Sequence, residues 1–286
     1  SLTDWEGKEQ DKSQFVTEID PNLIEIEDTS KFEKTHINEL FLFVNKTNPD
    51  TSLFDKEYLR RLFLEKNLNV TALNNYLSCP IKYLFRNLIQ LPSEYSSNLL
   101  FGDLIHDSLE KFFKENKSNR KLASKNELVK IFKNLIEKSG FYGSEYKRYL
   151  ERGVEALGEY YDHYHKNWSL EIENEKYIRR EFVLNDKSTV QISGRLDKVE
   201  FLDSPIEGRI NIVDYKTGKP FSDKTKKEER EDLKRQLVFY HILYEDYADN
   251  KFTINRAVLD FVEKNKKHQF EQYTVPIDHK EIKEVK

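Results

Sequence analysis

The 286-residue chain contains no methionine and one cysteine, Cys79. A single thiol excludes a disulfide framework and any zinc or iron–sulfur centre built mainly from cysteine. It fits a reducing compartment, so a cytoplasmic location is expected. No apolar run approaches the ~20 residues of a membrane-spanning helix, so no membrane partner is expected. The front lacks the pattern of a secretory signal. With Ser1 in first place and methionine nowhere, the chain reads as a piece excised from a longer polypeptide. A G-x-x-x-x-G-K-[ST] phosphate loop is missing, which excludes ATP hydrolysis of the usual kind by this piece. A G-x-S-x-G elbow and a cysteine nucleophile dyad are missing too.

Aromatic residues, by contrast, make up 13% of the chain. That is core-building material and argues against wholesale disorder. The length suits one large domain, or one domain with an appendage, and supports a core that needs no staple. The formal charge of −4 is unevenly spread. Residues 1–60 hold 14 acids and 7 bases, whereas residues 61–286 hold 37 acids and 40 bases. An acidic front thus precedes a mildly basic body, which is compatible with nucleic acid without demanding it.

Residues 1–66 show scattered apolar positions and poor periodicity, with Asn48-Pro49-Asp50 as a turn. From residue 67 the pattern sharpens, and 67–286 is taken as the main domain. Thr71 is a candidate cap for a helix carrying Leu73, Tyr76, Leu77, Tyr83, Leu84 and Leu88. Pro80 falls inside that span and predicts a kink or two helices. Asn98 is a candidate cap for a helix with Phe101, Leu104, Ile105, Leu109, Phe112 and Phe113 at helical spacing. Two more helices are expected at about 124–138 and 144–167. Beyond Trp168 the period changes, and strands are expected at 177–184, 190–201 and 209–216. A charged loop, 219–232, precedes a helix at about 233–247, followed by strands at 252–262 and 270–275. Helices followed by β-β-β-α-β-β suggest an α/β or α+β domain around one central mixed sheet.

Chemistry concentrates in Arg195-Leu196-Asp197 and Asp214-Tyr215-Lys216. Side chains two apart on a strand share a face, so Asp214 and Lys216 point the same way. The midpoint between 197 and 214 falls within the turn-forming segment 203–208, Asp-Ser-Pro-Ile-Glu-Gly. A symmetric hairpin therefore sets Asp197 opposite Asp214, Val199 opposite Ile212 and Phe201 opposite Ile210. Carboxylates directly opposite one another destabilise a sheet unless a proton, a base or a cation intervenes. Mg²⁺ favours this situation, one or two carboxylates plus waters and substrate phosphates. Lys216 is then placed to orient an attacking water or to stabilise charge on phosphate. Taken alone, an arbitrary D…D-x-K is more often a surface hairpin with an ion pair.

Two further elements accompany it. Gly102 and His106 lie four apart on one helix face that continues through Leu109 and Phe113. A lone helical histidine is more often a hydrogen-bonded core residue than a ligand, so His106 matters only if the fold brings it to the aspartates. Gln236 and Tyr240, also four apart, either hold phosphate, brace the site, or are ordinary residues of a helix. The charged loop is a solvated connection in its plain reading and a flap over DNA in its sharper one.

These pieces have an order. Leu77-Ser78-Cys79-Pro80-Ile81-Lys82-Tyr83, GDLIH at 102–106, GRLD at 194–197, DYKTG at 214–218 and QLVFY at 236–240 together resemble the RecB-type branch of the PD-(D/E)XK nuclease superfamily. The resemblance runs from about Asn69 to Val275. It implies a restriction-endonuclease-like α/β core, a mixed sheet flanked by helices with a helical N-terminal part. It implies a catalytic Mg²⁺ or Mn²⁺ on His106, Asp197, Asp214 and the Tyr215 carbonyl, with Lys216 as the catalytic lysine. Gln236, Tyr240, Glu181 and Arg195 become supporting or DNA-facing residues. Relatives such as the AddB-like nucleases carry an iron–sulfur cluster on four cysteines. Cys79 matches the first of these and no others follow, so no cluster is expected and Cys79 becomes a small buried apolar residue. Ser13-Gln14-Phe15-Val16-Thr17-Glu18-Ile19 is similar to a stretch near the end of the motor in UvrD/Rep-type helicases.

The expectation is therefore a metal-dependent DNA nuclease, an exonuclease on single strands, at the C-terminal end of a helicase in repair or recombination. Its partners would be DNA, single-stranded or as duplex ends, and the motor of the same polypeptide. A catalytically silent DNA-binding module is the first alternative, although such a module would be free to lose part of the His, Asp, Asp, Lys set. A protein-interaction module working through residues 1–60 is the second.

Overall fold

The computed structural model describes residues 18–24, 55–92, 95–185, 188–218, 220, 227–247 and 251–274. The turn at 48–50, most of the stretch at 13–19 and residues 221–226 of the charged loop lie outside them. The chain divides into two units, Ser1–Tyr58 and Leu59–Lys286. Within the first, a 3₁₀ turn, Pro21–Leu23, is capped by Asp20, whose carboxylate accepts the Asn22 N–H at 2.9 Å.

The second unit opens on a helical block. Helix α1 spans Lys56–Glu65, across the unit boundary. Helix α2, Val70–Ser78, is capped by Asn69 rather than Thr71, because the Asn69 side chain accepts the Ala72 N–H at 2.8 Å. Cys79 interrupts the chain in extended geometry, and Pro80 opens the next helix, α3 (Pro80–Tyr83), where its missing N–H costs nothing. A π-helical turn at Leu84–Leu88 continues it and buries Leu84 and Leu88. The proline therefore yields two helices. Cys79 is half-buried, not enclosed as expected, because it is the joint between the two helices. Helix α4, Ser97–Asn119, is capped by Ser96, two residues before the expected cap. Helices α5 (Lys125–Ile136) and α6 (Gly143–Tyr164) follow.

Five strands come next: β1 (Ile172–Asn185), β2 (Ser188–Phe201), β3 (Gly208–Lys216), β4 (Phe252–Phe261) and β5 (Gln272–Thr274). They form one sheet in the order β1-β2-β3-β4-β5. All neighbours are antiparallel except β3 and β4, which run parallel through the crossover helix α7 (Lys227–Tyr247). Helix α7 starts six residues earlier than the charge-rich sequence suggested. Glu228 and Glu229 fall in its first turn, where the helix dipole favours acids. The 227–232 part of the supposed flap is thus helix.

The sheet separates two cores. Leu237, Val238, Phe239, Ile242 and Leu243 of α7 pack on one face with Ile212, Leu196 and Leu259. Helices α4, α5 and α6 cover the other with Leu109, Phe112, Phe113, Phe132 and Leu157 against Val213 and Tyr215. Leu68, just ahead of α2, makes a parallel bridge to Ile192 of β2, with Leu68 N–H donating to Gln191 and Ser193 N–H donating back to Leu68. Leu109 is 0% exposed and stands one turn from His106 on α4. Leu109→Ala is expected to lower the unfolding free energy by about 2–5 kcal/mol, read by urea denaturation. An unchanged midpoint would mean that this face does not anchor the helix.

Candidate active site

The β2–β3 hairpin has the register expected from its turn, with Val199 opposite Ile212 and Phe201 opposite Ile210. The ladder's last pair is Lys198↔Val213, and Asp197 and Asp214 stand one step beyond it. There the strands remain joined, because the Tyr215 N–H donates to Asp197 Oδ2 at 2.7 Å. Both aspartates are buried.

Each then turns to a different partner. Asp197 meets α4, with His106 Nδ1 lying 3.3 Å from Asp197 Oδ2. Asp214 meets α7: Oδ1 accepts from Gln236 Nε2 at 2.9 Å and from the Tyr240 hydroxyl at 3.1 Å. Lys216 Nζ stands 2.6 Å from Asp214 Oδ2 and donates to Gln236 Oε1 at 2.8 Å. Gln236 also donates to Tyr240 at 2.9 Å, so the Q-x-x-x-Y spacing on one helix face holds the lysine and the aspartate in one network. Two glycines permit this closeness. A β-carbon at Gly194 would sit 2.5 Å from Leu243 and 3.5 Å from Tyr240, so its absence lets α7 settle on β2. A β-carbon at Gly102 would meet Thr217 Oγ at 3.2 Å, so α4 reaches the end of β3 and delivers His106.

Electrostatics reflect the crowding. Burial lowers the His106 pKa, but the charges of Asp197, Asp214 and Glu175 outweigh it and push it up to about 9. To ligate a metal, His106 must give up that proton. Burial raises the Asp214 pKa, Lys216 pulls it down and Asp197 pushes it up, leaving it above the usual carboxylate range. Burial holds the Tyr240 hydroxyl protonated, as a donor to Asp214 must be. Beneath Tyr215, the buried Lys198 lies 5.4 Å from the ring centre and pairs with Glu200 at 2.9 Å. Arg152 of α6 donates to the Thr217 carbonyl at 2.9 Å and ties the end of β3 in place.

The remaining expectations fare differently. Arg195 is largely solvent-exposed and, among the described residues, reaches the site through an ion pair with Glu175 at 3.7 Å. Glu181 is not brought to the site. It is exposed, pairs with Gln191 across the ladder, and stands six residues along β1 from Glu175, about 20 Å at strand spacing. Strand β1 extends five residues further toward its N-terminal end than the alternation indicated, and the residue it supplies there is Glu175. Ligand atoms of Glu175, His106 and Asp197 all lie within 4.8 Å of one another. Burial and the Asp197 charge push the Glu175 carboxyl up to about 7, against the opposing pull of His106 and Arg195.

A mixed sheet with helices on both faces, carrying carboxylates, a histidine and a lysine at the end of its central hairpin, defines a class of hydrolase folds. The chain belongs to the PD-(D/E)XK nuclease superfamily, whose family model matches residues 67–285. Among solved structures it is similar to a chain from Eubacterium rectale, provisionally titled an exonuclease. The two are 10% identical, with 84% of this chain and 80% of that one covered at a TM-score of 0.47. It is also similar to SSO0001, at 14% identity, 81% and 84% coverage and a TM-score of 0.30.

The donor set suits a divalent cation. Carboxylate oxygens are hard ligands fit for Mg²⁺ or Mn²⁺, and the imidazole is compatible with the latter. No described helix is long and apolar enough to cross a membrane.

Proposed function

We propose that this chain is a divalent-metal-dependent deoxyribonuclease of the RecB type. The observation that carries the reading is the meeting of three elements: His106 from α4 on Asp197 from β2, and Lys216 on Asp214 at the end of β3. In this reading Asp197, Asp214, His106 and the Tyr215 carbonyl hold Mg²⁺ or Mn²⁺, which would supply Lewis-acid stabilisation of charge on the phosphate. Lys216, pinned between Asp214 and Gln236, orients the attacking water and offsets negative charge as the phosphodiester is cut. Gln236 and Tyr240 keep the lysine and the aspartate from drifting.

The finer reading is an exonuclease on single-stranded DNA, the C-terminal part of a helicase–nuclease in repair or recombination. It is supported by the likeness of residues 13–19 to the end of a helicase motor, ahead of a family region that begins at residue 67. Linear single-stranded DNA is expected to be degraded in Mg²⁺ or Mn²⁺, with complete loss in EDTA and recovery when metal is restored. Circular single strands are expected to survive. Cleavage in EDTA would exclude the metal mechanism, degradation of circles would exclude exonuclease action, and tight binding without cleavage in any metal would mark a silent DNA-binding module.

A further inference from the structure

Glu175 has the one left-handed backbone among the described residues of β1. Its φ is +48°, in the left-handed region, within a strand whose neighbours are extended. The ladder pairs Asn174 with Lys198 and Lys176 with Leu196, and omits Glu175 at the place opposite Asp197. An acid with left-handed backbone, set against a second acid, is disfavoured on both counts. The exposed Arg195, 3.7 Å away, is a weak counterweight because solvent screens it.

The three carboxylates of the site are not equivalent. Asp214 already has one oxygen on Gln236 and Tyr240 and the other beside Lys216. Glu175 and Asp197 instead face His106, and these three alone form a compact donor group among the described residues. Their atoms span a space that a single cation would draw together, with two carboxylates and an imidazole as ligands.

We infer that Glu175 is a direct ligand of the divalent metal, adding a further carboxylate to those of Asp197 and Asp214 on the side of the site that His106 faces. This rests on the nuclease reading, and it gives a ligand role to a residue six positions earlier on β1 than Glu181, for which the resemblance implies only a supporting role. The imidazole beside two carboxylates suits Mn²⁺ better than Mg²⁺, which prefers oxygen ligands alone.

The test is direct binding of Mn²⁺ to the full chain, by calorimetry and by electron paramagnetic resonance. Glu175→Gln keeps the shape of the side chain and removes its charge. It is expected to weaken Mn²⁺ binding at least about tenfold and to shrink the rise in melting temperature that Mn²⁺ produces in the parent. Glu175→Asp should fall between the two, and Glu181→Gln should bind like the parent. Circular dichroism checks that each variant is folded, and a misfolded Glu175→Gln leaves Glu175→Asp to decide. Parent-like affinity in the folded Glu175 variant would overturn the inference while cleavage by the parent kept the nuclease reading alive. Glu175-dependent Mn²⁺ binding in a parent that cuts no DNA would do the reverse. A parent that binds no Mn²⁺ would overturn both.

Discussion

Lys216→Ala is expected to lower DNA cleavage by about 10²–10³-fold or more in Mg²⁺ while the domain stays folded. Among the described residues the side chain is the cation touching Asp214, at 2.6 Å, at the open end of the hairpin. A preorganised positive group aimed at developing charge contributes that order of rate, because it needs no rearrangement when the charge appears. The fold should survive for a local reason. Gln236 and Tyr240 still donate to Asp214 Oδ1, and a carboxyl already pushed upward by burial can take a proton once its lysine is gone. The cost to stability is then the loss of a hydrogen bond to a charged group, about 1–3 kcal/mol. Cleavage assays and urea denaturation on the same preparation separate the two effects. Equal rates for variant and parent would remove Lys216 from the mechanism. Lys216→Arg is not expected to restore activity, since a planar fork does not replace a compact ammonium in the space between Asp214 and Gln236.

Asp197→Asn has the second large effect, a fall in cleavage of about 10³-fold or more. The substitution keeps an oxygen to accept the Tyr215 N–H, so the hairpin remains closed. What it removes is charge. A cation in the site loses a hard anionic ligand, and several kcal/mol of stabilisation correspond to about three orders of magnitude in rate. His106 reports the change independently. Its pKa of about 9 depends first on overcoming burial through the Asp197 charge, so in EDTA the variant's imidazole should titrate well below the parent's, as followed by NMR. A His106 titration that did not move would show that the 3.3 Å contact with Asp197 does not govern its proton. Cleavage that persisted at the parental rate would show that Asp197 is not a metal ligand.

Much of this arrangement was legible in the sequence because it follows from period and symmetry. The turn at 203–208 is rich in residues that break strands, and the apolar residues on either side pair only in one register, so the opposition of Val199 and Ile212 could be read from spacing. His106 was readable as lying on the packed face of its helix, but not as reaching a strand. That depends on Gly102 letting α4 approach Thr217, which no helical periodicity encodes. Glu175 was missed for the same reason that the start of β1 was missed. The stretch Ile172-Glu173-Asn174-Glu175-Lys176 carries almost no apolar alternation, so it has no strand signal even though it pairs with β2 throughout most of its length. Its left-handed backbone could not be read from the sequence either, because glutamate has no local preference that would announce it. Glu181 shows the converse. It sits in a recognisable strand, yet the ladder carries it to the far end, opposite Gln191.

The bridge between Leu68 and Ile192 has a consequence for the order in which the molecule assembles. The two residues are separated in the chain by the whole helical block from α2 to α6, so their pairing closes a very long loop. Such closure is entropically unfavourable until the sheet edge that receives it exists. Leu68 is therefore expected to dock late, after β2 has found its partners, and to detach early when the protein opens. The amide hydrogens of Leu68 and Ser193, each bonded across this junction, should exchange with solvent together and ahead of the buried rungs at Val199 and Ile212. The segment that leads into the nuclease fold is thus expected to act as a latch on β2, closed five residues from Asp197 and opening before the rungs at Val199 and Ile212.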